Sequence, residues 1–338
     1  VLDHRERRTS VAPFSEFSEA SGAAHGDSRR TRPREHAERI VTTVERKPLR
    51  LAILEGERAL AAAGIPSPRA DVESLAAHLL GVERPRLLLL PPLEPAVLDS
   101  LQELVRRRAE RVPLQHLTGT AALGSTTLSV GPGVFVPRPE TEQLLEWALT
   151  RIRSVRDPLV VDLCSGSGAL ALAVAQRRPD ARVLAVDNDP AALEWARHNA
   201  DSLRATADTS VEVIAGDVTD PTLLTGFDGT VDLVVCNPPY VPEGTPVPPE
   251  VWEYDPYAAV FAGRDGLEIV PHVLTRAIGL LRPGGVLAVE HDDTHAEAVP
   301  ALMNDSGTLT EVHDHSDLAG RPRFATAAKK PPDSAGNS

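Results

Sequence analysis

The chain of 338 residues is 42% hydrophobic and 25% charged, with 35 Lys+Arg against 48 Asp+Glu and a formal net charge of −13. That length accommodates one large domain or two ordinary ones with a substantial core, and the acidic excess disfavours sequence-independent binding to a phosphate backbone. The balance is uneven, because residues 1–50 carry a net +3 and residues 51–338 a net −16.

Cys164 and Cys236 are the only cysteines, too few for a disulfide framework and in no metal-ligating spacing, so a reducing compartment and two reduced thiols are expected. No apolar run approaches the roughly 20 residues that span a bilayer. The N-terminal segment has no uninterrupted apolar signal core and is interspersed with Asp3, Glu6, Glu16 and Glu19, so the expected location is cytoplasmic.

Residues 1–47 read as an irregular extension in which no apolar period is sustained. Its run Arg29-Arg30-Thr31-Arg32-Pro33-Arg34 lies among acids and reads as a solvated leader rather than a nucleic-acid tail. From Leu49 the period turns helical. Leu51, Leu54, Ala59 and Ala62 form a stripe that stops at Gly64. Ser67 and Pro68, as cap and first helical residue, open a second helix through Val72, Leu75, Ala76 and Leu79 to Gly81. Val97, Leu98, Leu101, Leu104, Val105 and Ala109 give a third, with Arg106, Arg107 and Arg108 complementing the dipole at its end. Residues 48–112 are thus expected to form a small helical domain.

Residues 113–138 alternate as a hairpin linker between domains, with extended pieces at 117–120, 126–130 and 134–136 and glycine turns at Gly124 and Gly131-Pro132-Gly133. A helix through Leu144, Leu145 and Ala148 follows. Strands are expected at 159–163, 182–186, 211–215, 231–236 and 286–289, alternating with helices near 169–176, 191–200 and 267–281. That order specifies a parallel, doubly wound sheet over 139–328 that binds ligands at its carboxyl ends. Val312 and residues 324–326 are expected to add a closing hairpin, and 329–338 to form a disordered tail.

Three features carry chemistry. The strand ending in Asp162 and Leu163 runs into Cys164-Ser165-Gly166-Ser167-Gly168, a turn that opens a helix and offers free N–H groups to a ligand. About 20 residues on, Asp187 ends the second strand, placed to accept both hydroxyls of a ribose. The same spacing also satisfies the loose glycine pattern of NAD-binding folds. Gly216-Asp217 ends the third strand and offers an acceptor for an adenine amino group. The fourth strand ends in Asn237-Pro238-Pro239-Tyr240. There the Asn237 oxygen and Pro238 carbonyl are two acceptors for the two hydrogens of a planar –NH2, with Tyr240 as a flat wall. No base is evident; His291, beside Glu290, reads as a structural strand-end histidine.

With these motifs, and with Pro137-Arg138-Pro139-Glu140-Thr141-Glu142 behind a helical domain, the chain resembles the S-adenosylmethionine-dependent methyltransferases of the class I Rossmann-like fold. More narrowly, it is similar over about residues 49–328 to the HemK/PrmC family, the N5-glutamine methyltransferases of class 1 peptide chain release factors. The resemblance implies that Cys164, Ser165, Gly166, Ser167 and Gly168 line the methionine part of S-adenosylmethionine, Asp187 the ribose, and Asp217 and Val218 the adenine. It implies that Asn237, Pro238, Pro239 and Tyr240 hold the target glutamine amide of the GGQ motif, with Asn237 also reaching the cofactor, while Arg138, Glu140 and Thr141 close the site. No metal is implied. The family usually has glycine where this chain has Cys164, and residues 1–47 have no counterpart in it.

The partner so implied is a release factor, with no membrane and no stable nucleic-acid binding. The helical domain and loop 241–262, with Glu243, Glu250, Glu253 and Asp255, are its expected acidic docking surface. The alternative is a nucleic-acid amino methyltransferase acting on adenine-N6 or guanine-N2 with the same cradle; the −16 body lacks the basic face that reading needs. An NAD-dependent oxidoreductase has no use for Asn237-Pro238-Pro239-Tyr240, and a non-catalytic relative would be expected to have lost Asn237 or the glycines.

Overall fold

The computed structural model describes residues 46–331 apart from 208 and 210. The expectations for residues 1–45 and for the tail 332–338 lie outside the described residues.

Three helices, α1 (Leu49–Ala62), α2 (Pro68–Leu80) and α3 (Pro95–Ala109), pack around a core of Leu60, Val72, Leu75, Leu101 and Val105. The face that α1 buries is not the one expected. Leu49, Ala52, Ile53, Gly56 and Leu60 point inward, whereas Leu51 and Leu54 are exposed. Gly56, a residue that by itself weakens a helix, carries no apolar signal for that face. In the folded chain it is the point of closest approach, where an added Cβ would sit 3.0 Å from the Val72 methyls and 3.2 Å from Val105. Ser67 does stand at the start of α2, but its side chain makes no capping bond; Gly81 ends that helix in the left-handed region as expected. Two boundaries shift as well. Lys47, assigned to the extension, pairs with Leu93, and Lys329, assigned to the tail, belongs to the last strand.

The segment 113–138 also departs from expectation. Residues Leu114–Thr118 form a short helix, α4, so of the piece expected at 117–120 only Thr120 is in a strand; the hairpin is β1 (Thr120–Leu123) and β2 (Thr126–Ser129), and 134–136 is irregular. Nor is the hairpin a free linker. Ala121, Leu123 and Leu128 join the core on one face of the large sheet, and Asn199 bonds both the N–H and the carbonyl of Ser129.

Beyond α5 (Thr141–Arg151) the chain alternates as β3 (Leu159–Leu163), α6 (Ala169–Arg177), β4 (Arg182–Asp187), α7 (Pro190–Thr206), β5 (Val211–Ala215) and β6 (Val231–Cys236). Then come α8 (Pro249–Tyr254), α9 (Tyr257–Val260), α10 (Val270–Leu280), β7 (Leu281–Glu290), α11 (Ala298–Asp305), β8 (Leu309–Ser316) and β9 (Pro322–Lys329). Seven strands form one sheet in the order β5-β4-β3-β6-β7-β9-β8, parallel except for β9, which runs antiparallel to both β7 and β8.

Strand periodicity divides the core into two layers. Val160, Val183, Leu233 and Val286 face one side, while Val161, Leu184, Val234 and Leu287 face the other. The order reverses between β3 and β6, and this switch point brings the glycine turn and the Asn237-Pro238-Pro239-Tyr240 exit side by side at the carboxyl edge. Among the described residues no helix is long and apolar enough to cross a membrane.

Candidate active site

A cleft of about 590 Å³ opens over that switch point, a size suited to a cofactor with part of a second substrate. One wall is the turn after β3. Gly166 (φ +58°) and Gly168 (φ +84°) are left-handed, and so is Cys164 (φ +57°). Glycine adopts that region freely, whereas a side chain there costs about 1–2 kcal/mol. Cys164→Gly is therefore expected to stabilise the protein by roughly 0.5–1 kcal/mol, after allowing for the looser unfolded chain. A urea midpoint that falls instead would show that thiol packing outweighs the strain. Leu163 pairs with Cys236 across the strands, so the two cysteines meet; both are free thiols. Burial and the neighbouring Cys164 thiol push the Cys236 thiol up.

Of the expected cofactor residues, Cys164, Ser165, Gly166, Ser167, Asp187, Asp217 and Val218 line the cleft. Gly168 does not; it is the first cap residue of α6. Asp187 is anchored by the N–H groups of Gly166 (2.8 Å) and Asp189 (2.9 Å), one on each oxygen, which leaves each oxygen with further accepting capacity. The Asp217 carboxyl lies below its usual range because the Thr219 N–H and hydroxyl bond it, so it faces the cleft as an anion. Asn199, unremarked in the sequence, ties the turn to the hairpin through the Ser167 carbonyl at 3.0 Å.

Asp162 is the most consequential omission on this wall. Its Oδ2 accepts from the Ser165 hydroxyl (2.6 Å) and the Ala171 N–H (3.1 Å), while its buried Oδ1 has no hydrogen-bond partner. Burial drives its pKa up to about 7. A cation brought against Oδ1 would restore the charged form.

The opposite wall is the exit of β6. Asn237, Pro238, Pro239 and Tyr240 all line the cleft. Among the described residues no backbone N–H bonds the Pro238 carbonyl. Asn237 Nδ2 lies 3.4 Å from Thr141 Oγ1, Thr141 donates to Glu290 Oε2 at 2.8 Å, and Tyr240 donates to Glu290 Oε1 at 3.0 Å. Nothing in the sequence sets Glu290 apart from its neighbour His291. The histidine is buried between the Asp292 carbonyl and the Asp314 carboxylate, each at 2.8 Å, and does not line the cleft. Gly266 buttresses this wall from below; a Cβ there would stand 2.3 Å from the Tyr240 carbonyl.

Of the three residues expected to close the site, Thr141 and Arg138 line the cleft and Glu140 does not. Glu140 is exposed ahead of α5, a solvated helix-start position that its place in the motif disguised. Arg138 is held by the buried carboxylate of Asp255 and lies over the Phe135 ring.

Loop 241–262 is not the uniformly acidic surface expected. Asp255 is spent on Arg138, and Glu250 on Arg108 (3.0 Å) and Arg111 (3.3 Å). Only Glu243 and Glu253 remain exposed. Arg108 in turn bonds Asp71 at 2.7 Å, so it is a buried bridge between α3, α2 and the loop rather than a simple complement to the helix dipole. Arg111 also donates to the carbonyls of Ala63 (2.8 Å) and Gly64 (3.1 Å) beyond α1. The loop presents Val247, Val251 and Tyr257 to the cleft, with Tyr257 stacked on Phe261 at 4.7 Å.

Residues 52–119 match the family model described as the PrmC N-terminal domain, and residues 131–252 that of the methyltransferase small domain. The chain is 55% identical to a release factor glutamine methyltransferase of Mycolicibacterium smegmatis, an alignment covering 83% of this chain and 98% of that protein. It is 47% identical to the protein of that name from Mycobacterium tuberculosis (83% and 91% covered) and 46% identical to that from Streptomyces coelicolor (83% and 98% covered). With both family segments present and close to half the residues shared along nearly the full length of these relatives, the chain belongs to the release factor glutamine methyltransferase family.

Proposed function

We propose that the protein transfers the methyl group of S-adenosylmethionine to the side-chain amide nitrogen of the GGQ glutamine of class 1 peptide chain release factors. The observation that carries this reading is that Asn237 and Pro238, each with an oxygen able to accept, line one cleft with the turn at residues 164–167. The first wall suits the cofactor. The unpartnered Asp162 Oδ1 calls for a cationic donor such as an amino-acid ammonium, and Asp187 retains acceptor capacity for a vicinal diol.

When bound, the cofactor supplies an electrophilic methyl on a sulfonium. The chain's own residues have a harder task, because an amide nitrogen is a poor nucleophile whose lone pair is shared with its carbonyl. Asn237 and Pro238 accept its two hydrogens, orient it and stabilise the positive charge that builds on nitrogen. Tyr240, held at its hydroxyl by Glu290, provides a fixed flat wall. Val247, Val251 and Tyr257 add apolar surface to the cleft lining. Arg138, the one Lys or Arg among the described residues that line the cleft, is committed to Asp255, and Arg108 and Arg111 are committed to Glu250. That leaves little to hold a phosphate backbone, which supports a protein substrate over a nucleic acid.

Labelled methyl from S-adenosylmethionine is expected to appear in a purified class 1 release factor and to be absent when the factor's GGQ glutamine is replaced. Label in RNA or DNA but not in the factor would transfer the assignment to base methylation.

A further inference from the structure

We infer that Glu290 is a positioning residue: it sets the direction of the hydrogen bonds behind Asn237, so that the oxygen of that amide, not its nitrogen, faces the substrate. This rests on the methyl-transfer reading above. Glu290 ends β7 and is fully buried, next to the exit of β6, where Cys236 pairs with Val289.

An ionised carboxylate only accepts. Both oxygens of Glu290 are engaged, Oε2 by Thr141 and Oε1 by Tyr240. Thr141 therefore spends its one proton on Glu290, and its oxygen is left as an acceptor. The neighbouring group of Asn237 must then be the donor, Nδ2, which stands 3.4 Å away. The amide cannot turn over without setting its oxygen against a hydroxyl oxygen that has no proton left to offer. Asn237 Oδ1 is thus committed to the cleft, where a substrate N–H needs it. With the amide reversed, two N–H groups would confront each other.

The charged and titratable groups around Glu290 are Tyr240 after β6, Arg323 on β9, Glu140 ahead of α5, and its neighbour His291 with Asp314 of β8. Burial raises the Glu290 carboxyl above its usual range, against the hydrogen bonds of Thr141 and Tyr240 and the attraction of Arg323. A protonated Glu290 has a hydrogen of its own to donate, and the direction is lost. In the wild type kcat is accordingly expected to rise with pH as this group ionises.

The test is Glu290→Gln, which keeps the shape but replaces one acceptor with a donor. For methyl transfer to a release factor, kcat is expected to fall by about 100-fold, in the range for loss of one preorganised polar contact. S-adenosylmethionine Kd should stay within about threefold, and the acid limb of the kcat profile should disappear. Thr141→Val should lose a similar factor, of which Thr141→Ser recovers most. A second readout needs no turnover: in 15N-labelled wild-type protein one side-chain hydrogen of Asn237 should exchange slowly, and Glu290→Gln should remove that protection. A folded Glu290→Gln protein with kcat within threefold of wild type, or with Asn237 protection unchanged, would overturn the inference. So would a fall in kcat matched by an equal loss of cofactor affinity. If the wild type fails to methylate the factor, the substrate reading fails, and the exchange measurement still decides the role of Glu290.

Discussion

Asn237→Ala is expected to lower kcat for methyl transfer by about 100- to 1,000-fold, with the fold intact. The side chain follows the last residue of β6 and is half-buried, so its removal opens no large cavity in either sheet layer. On the proposed reading, what disappears is one of two acceptors that orient the target –NH2 and meet its developing charge. Pro238 still offers its carbonyl, but a single acceptor lets the amide rotate, and in-line displacement tolerates little misplacement. The measurement is single-turnover transfer of labelled methyl at saturating cofactor, beside calorimetric cofactor binding. Asn237 is also proposed to reach the cofactor, so a modest rise in Kd is expected; the fall in rate should exceed it at least tenfold. A rate within tenfold of wild type would remove Asn237 from the chemistry.

Arg108→Ala is expected to destabilise the protein by about 3–5 kcal/mol, the range for breaking a buried ion pair from one side. The side chains of Arg108, Asp71 and Glu250 are 8%, 12% and 17% exposed, so the two carboxylates left behind would be poorly hydrated. Urea unfolding at neutral pH measures the change, and a loss below about 1 kcal/mol would mean that water reaches the site freely. Acid should mimic part of the effect. Burial tends to raise the Glu250 carboxyl, but hydrogen bonds from its own backbone and from Arg108 and Arg111 hold it below its ordinary value. A carboxyl depressed in the folded state contributes stability above its unfolded pKa and loses it as pH falls through the folded one. The contribution of Glu250 should therefore be full near neutrality, begin to fall as pH passes the ordinary glutamate value of about 4.3, and be lost only below the lowered folded value.

Strands 159–163 and 211–215 were legible to the residue because a parallel sheet buried on both faces writes itself as short apolar runs. The two cleft walls were legible because Gly166 and Gly168 permit, and Pro238 and Pro239 impose, backbone conformations that few other residues adopt. The rest escaped for physical reasons. Glu290 and Asp162 look like ordinary acids near strand ends until burial reveals them; that of Glu290 depends on what β9 and α5 bring from far along the chain, and Asp162 is held by Ser165 and Ala171 of the turn and helix that follow it. Arg108 sits in a triplet whose other members, Arg106 and Arg107, are exposed, and nothing local distinguishes it. Leu51 and Leu54 advertised the wrong face of α1 because a glycine at a tight crossing carries no hydrophobic signal.

The attachments of loop 241–262 bear on where one module ends and the next begins. Glu250 fastens it to α3 and Asp255 to Arg138, between which lies the stretch that presents Val251 to the cleft. Ownership of the catalytic wall is therefore shared: the helical domain holds part of the reaction chamber in place from outside. A fragment trimmed to the sheet and its helices would not be a smaller enzyme that merely lacks a handle for its partner. It would lose the brace on one side of its own cleft and carry Glu250 as an anion without its counter-ions.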